Sequence, residues 1–141
     1  MENKSTTEFG ITLLRASLGI MFIAHGLLKV LVFTPAGTVG FFESIGYPGF
    51  FAYWVMIAEI GGGVLLLAGI YTRLVSLALL PVLAGAALVH LPNGWVFSAE
   101  GGGWEYPVFL FVVTLSQAIF GSGRYALKGP KLVFLPTALT A

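Results

Sequence analysis

Four apolar runs, each close to the length that crosses a lipid bilayer, constrain this 141-residue chain more than any other feature. A spanning helix needs about 20 mostly apolar residues. The runs extend from about Phe9 to Phe33, Phe50 to Tyr71, Leu74 to His90 and Trp104 to Phe120. Only 9% of the chain is Asp, Glu, Lys or Arg, while 57% is hydrophobic. A soluble domain carries about 25% charged residues, so this chain lacks the polar surface to stay dissolved. The reading is an all-α bundle of four transmembrane helices, with one membrane domain over residues 1–124 and a short tail over 125–141. The first run has no small-residue cleavage site after it and reads as a retained helix.

The same composition excludes several functions. A formal net charge of +1 without a basic run gives nucleic acid nothing to bind. Cysteine is absent, which rules out thiol exchange, a cysteine nucleophile and a cysteine-ligated cluster within the chain. Redox chemistry here would need a bound cofactor, a metal on nitrogen and oxygen ligands, or a partner protein.

The connectors set direction. Residues 34–49, rich in Gly, Pro and aromatics, read as a turn plus a short interfacial helix. Residues 71–73 form a tight turn, and residues 91–104 a long loop whose Trp95 and Trp104 suit headgroup depth. Lys4, Arg73, Arg124, Lys128 and Lys131 fall on one side, with Arg15 near enough to reach it, and Lys29 alone on the other. Lys and Arg bias toward the cytoplasm, so both termini are expected there. Pro81 should kink the third helix. In the second, Ala58 with Gly62, and Gly61, Leu65 and Gly69 less regularly, offer small residues for close helix packing.

Ionisable residues inside a bilayer are functional candidates by default. Besides the arginines these are His25, Lys29, Glu59, His90 and Glu105. Counting about 1.5 Å per residue from Arg15, Arg73 and Arg124, His25 lies about 15 Å deep, and Lys29 and Glu59 about 21 Å. His90 and Glu105 fall at about 25 and 28 Å, near the far edge of a core about 30 Å thick. All five therefore belong to the outward half. His25 and Lys29, one turn apart, share a helix face. Lys29 is expected to neutralise Glu59, because an unpaired charge at that depth costs several kcal/mol. Simpler roles stay open: Lys29 could snorkel, Glu105 could cap the fourth helix, and Arg15 and Arg73 read as interface anchors.

Three arrangements fit these residue types. His25, Glu59, His90 and Glu105 could bind a divalent metal. Haem between His25 and His90 is disfavoured, since their depths differ by about 10 Å. A metal-free pocket could hold a planar ring between Phe22, Tyr53, Trp54 and Trp104 while His25 or Glu59 exchanges protons. Quinone head groups need such a slot.

"HGLLK" closing the first run, "AEIGGGVLLLAGIYTR" over the second, the histidine ending the third and "GGGWEYP" opening the fourth resemble the DoxX family in order and spacing. The likeness covers about Leu13 to Arg124. The family's usual Ser-Leu-Asp ending is replaced here by Ala126, Leu127 and Lys128. The resemblance implies a small four-helix protein of the bacterial inner membrane, linked to quinone redox chemistry or redox stress. It points to His25, Gly26, Lys29, Glu59, Gly62, Gly63, Gly69, Arg73, His90 and Glu105 as motif positions. The leading expectation is a quinone-linked redox component with a partner protein, in which His25, Glu59 and Lys29 act and His90 and Glu105 line the mouth. A metal or small-molecule handler and a non-catalytic assembly subunit are the alternatives, and self-association is expected.

Overall fold

A computed structural model describes residues 4–127, 129, 130 and 135–140. Lys128 and Lys131, part of the expected positive side, lie outside the described residues. Helix α1 (Lys4–Leu27) runs into a π-helical turn (Leu28–Val32). Then follow α2 (Pro35–Ser44), α3 (Phe50–Ala68), α4 (Thr72–His90) with a 3-10 turn (Leu91–Asn93), α5 (Glu105–Phe120) and a short α6 (Thr137–Thr140). There is no strand among the described residues.

The bundle is apolar on its outside as well as in its core. Its exterior carries Leu31, Ile57, Leu88, Phe109 and Ile119, all exposed. A large apolar exterior of this kind fits lipid. Three helical stretches are long and apolar enough to cross a membrane: Lys4–Val32, Phe50–Ala68 and Thr72–Asn93. The fourth, α5, is apolar but has only 16 residues, about 24 Å at 1.5 Å per residue. It begins one residue later than the sequence suggests, because Trp104 is drawn into the preceding loop.

Small residues set which helices meet. Gly19 on α1 faces Gly63 on α3 so closely that a Cβ on Gly19 would lie 2.8 Å from the Gly63 carbonyl oxygen. Gly26 faces Ile60 and Glu59 in the same manner, with Glu59 Cβ only 3.2 Å from a Cβ built there. The α1–α3 seam therefore runs through Gly19, Gly26 and Gly63, not through Ala58 and Gly62. Gly62 meets Leu79 of α4, and Gly61 faces open space. Around the bundle the order is α1, α3, α4, α5, with α5 closing only thinly on α1. Leu18, Phe22, Leu66, Val75, Leu79 and Leu83 form the core.

At the end bearing the arginines, the chain after α5 folds back across the helix ends. Thr12 Oγ1 accepts from the Arg124 amide at 2.7 Å, the Leu127 amide donates to the Ala68 carbonyl at 2.9 Å, and Arg124 Nη1 donates to Ser5 Oγ at 2.7 Å. The Tyr71 hydroxyl donates to the Pro130 carbonyl. This strap corrects the expectation for Arg15, which is no snorkelling anchor but is 2% exposed. Its Nη2 donates to the carbonyls of Arg124 (3.2 Å) and Tyr125 (3.5 Å). Gly69, with φ +75°, has no side chain there, and a Cβ would overlap Arg15 Nη1.

Candidate functional site

The site begins where α1 loses its regular hydrogen bonding. The Phe33 amide reaches back five residues to the Leu28 carbonyl (3.1 Å), a wide turn of the kind that often marks functional positions. The Lys29 carbonyl is instead within 3.1 Å of Thr38 Oγ1, which also meets the Thr34 carbonyl at 2.9 Å. Thr34 holds a strained backbone (φ 64°, ψ 154°) and caps α2 by accepting from the Gly37 amide. The chain thus doubles back, and α2 lies over the end of α1.

From this turn Lys29 Nζ reaches Glu59, donating to Oε1 at 2.9 Å and Oε2 at 2.8 Å. The expected ion pair is present, and Gly26 makes it reachable by letting α1 lie against Glu59. Glu59 is buried and Lys29 half-buried. One turn earlier, His25 Nδ1 sits 2.8 Å from the Met21 carbonyl. Its ring stacks on Tyr106 of α5 with centroids 6.0 Å apart and planes 24° from parallel. The Tyr106 hydroxyl lies 2.7 Å from Met21 Sδ.

These groups border a cavity of about 380 Å³, within the range of small-molecule sites. Lys29, Glu59, His25 and His90 are its charged and ionisable lining, together with the hydroxyls of Tyr47 and Tyr106. The rest is apolar. Phe22 and Met21 come from α1, Phe41 and Phe42 from α2, Phe51 and Val55 from α3, Pro81, Val82, Leu83 and Val89 from α4, and Pro107 and Leu110 from α5. Pro81 borders the cavity from inside an otherwise continuous α4.

The structure thus brings Phe22, His25, Lys29, Glu59 and His90 together on one cavity. It does not bring Trp54, Trp104 or Glu105 there. Trp54 is 65% exposed on the outer face of α3, and Tyr53 borders a different, lateral groove. Trp104 packs edge-on against Trp95 at 4.5 Å, and Glu105 Oε1 accepts from the Phe97 amide at 2.8 Å. Both brace the loop after α4, which in turn holds His90 through Nδ1 and the Gly101 carbonyl, 3.0 Å apart. The metal set of His25, Glu59, His90 and Glu105 is therefore not assembled. Glu105 faces the loop, and no three His, Asp or Glu side chains among the described residues are close enough to share an ion. Of the remaining motif positions, Arg73 lies half-buried beside Gly121, at the far end of the bundle.

Sequence reasoning missed the aromatic wall formed by Phe41, Phe42, Tyr47, Phe51 and Tyr106. Tyr106 follows Glu105 directly, and successive helical residues point about 100° apart. Depth alone does not say which of that pair faces the cavity.

The DoxX family pattern matches residues 10–91. The chain is similar to "Putative oxidoreductase CatD" of Bacillus subtilis, 38% identical over 126 residues, which cover 89% of this chain and 88% of that protein. It is also similar to "Inner membrane protein YqjF" of Escherichia coli, 35% identical over 74 residues, 52% of this chain and 55% of that one. No solved structure matches significantly.

Proposed function

The chain belongs to the DoxX family of multi-pass membrane proteins, and from that premise we propose that it is a quinone-linked redox component working with a partner that supplies or takes electrons. The observation that carries the reading is the cavity itself. An apolar slot walled by aromatic rings is fitted with two imidazoles, His25 and His90, and one charge-balanced Lys–Glu pair. That combination suits a planar ring whose oxygens gain or lose protons. The oxidoreductase name of the Bacillus subtilis relative agrees with it.

In this reading His25 holds or releases a proton at Nε2, since Nδ1 faces the Met21 carbonyl. Lys29 keeps Glu59 ionised and has one N–H to offer a ring oxygen, its other two being given to the carboxylate. Glu59 anchors Lys29 in turn. A bound quinone would supply the two-electron chemistry, and the chain's own residues supply position, proton transfer and a dry wall. In this reading electrons pass to or from a partner protein. Placement in the bacterial inner membrane with the arginine end cytoplasmic belongs to the same proposal.

The test is equilibrium binding of decylubiquinone to the purified protein in nanodiscs, beside His25→Ala. Saturable binding in the native protein is expected, and binding of the reduced form, decylubiquinol, should weaken about tenfold in the variant. Absence of saturable binding of both the quinone and its reduced form would overturn the reading.

A further inference from the structure

Resting on the quinone reading above, we propose that the cavity selects the reduced, hydroxyl-bearing form of its ring ligand. Its two histidines present hydrogen-bond acceptors and not donors. His25 Nδ1 lies 2.8 Å from the Met21 carbonyl, and His90 Nδ1 lies 3.0 Å from the Gly101 carbonyl. A carbonyl oxygen can only accept, so each Nδ1 carries the ring proton. In a neutral imidazole the remaining Nε2 is then a lone pair. Neither Nε2 makes a hydrogen bond among the described residues, although His25 lies near the Glu59 carboxylate, and both rings border the same cavity.

The two tautomers are set by unrelated parts of the fold. For His25 the acceptor is the carbonyl one turn back in α1. For His90 it is a glycine loop held by Asn93, whose Nδ2 donates to the carbonyls of Gly101 (3.1 Å) and Gly102 (2.9 Å). The helices α1 and α4 are not neighbours in the ring of helices, so the two acceptors enter the cavity from different sides. A 1,4-diol carries one O–H at each end of its ring and can give one to each histidine. The corresponding quinone carries acceptors at both ends and would set lone pair against lone pair.

The other polar groups do not reverse this balance. Among the described residues Glu59 is the only carboxylate on the cavity, and it takes two N–H bonds from Lys29. That leaves Lys29 a single free N–H against two free imidazole lone pairs. The Tyr106 hydroxyl is engaged with Met21 Sδ at 2.7 Å. Tyr47, 45% exposed, has a hydroxyl that can serve either form. An acceptor that the ligand covers without pairing changes affinity by about tenfold, so the diol should bind about tenfold or more tighter than the quinone.

The experiment is equilibrium dialysis at pH 8, under argon, with trimethylhydroquinone, trimethylbenzoquinone and trimethylhydroquinone dimethyl ether. The ether keeps the ring and removes only the two donors. The diol is expected to bind at least tenfold tighter than either companion in the native protein. In His90→Leu the preference should fall about tenfold while quinone affinity holds, and His90→Gln, whose amide oxygen accepts, should restore part of it. Equal binding of diol and quinone by the native protein overturns this inference and leaves the quinone reading standing. Binding of none of the three probes overturns both. The comparison of diol with ether on native protein keeps the test decisive even if a histidine variant does not fold.

Discussion

Two cations are drawn inside this bundle, at opposite ends, and they are treated differently. Lys29 faces a carboxylate with both oxygens within 2.9 Å and stands on a cavity. Arg15 is more completely buried and, among the described residues, faces no carboxylate and leaves Nε and Nη1 without a hydrogen-bond partner. There its charge is met by two main-chain carbonyls of the strap. The surroundings differ to match. The Lys29 end is open and aromatic. The Arg15 end is tightly filled, with Thr72, Ser76, Thr114 and Gln117 fully buried between α4 and α5. A charge with a counter-charge beside free volume is a site that can exchange partners. A charge clamped by backbone is a clasp, and what it holds is the chain that crosses the helix ends.

That contrast can be broken most severely at Lys29. Lys29→Ala leaves Glu59 buried without its partner and is expected to destabilise by about 3 kcal/mol or more. The thermal unfolding midpoint in detergent measures it, and Lys29→Met with Glu59→Gln should regain most of the loss. A single variant that melts with the native protein would mean the pair is not a stabilising contact at all.

A smaller effect is expected at the clasp. Gly69→Ala forces a side chain into a left-handed position and against Arg15 Nη1, at a cost of about 2 kcal/mol. Binding of decylubiquinone should be unaffected, since the change lies at the far end of the bundle. Loss of binding together with stability would show that the two ends are coupled, contrary to their separate construction.

The smallest shift sharpens the comparison further. Arg15→Met removes a buried charge that has no acid to orphan, so stability should move by less than about 1 kcal/mol. Amide exchange at residues 124–127 should nevertheless quicken, because the strap loses its anchor. Unchanged exchange there would deny Arg15 the role of clasp.

Much of this architecture is legible in the sequence. The apolar runs located α1, α3, α4 and α5, since a bilayer demands length and apolarity from each spanning segment on its own. The Lys29–Glu59 pair was readable because both charges fall at one depth and neither tolerates solitude there. The Gly19–Gly63 seam was not, and Gly62, one of the small residues singled out on α3, meets Leu79 of α4 instead. Spacing along one helix reports that a close face exists, while which neighbour uses it depends on the other helices.

Depth is thus a property of the sequence, fixed by rise per residue and by where the arginines stop. It placed His25, Lys29, Glu59 and His90 in the same half of the membrane. Rotation about each helix axis and order around the bundle are collective, set by how all the helices fill space together. They turned Tyr106 inward and Glu105 toward the loop, left Trp54 on the outer face, and folded the strap over Arg15. Only the packed molecule could decide those, because each depends on a neighbour that no single segment encodes.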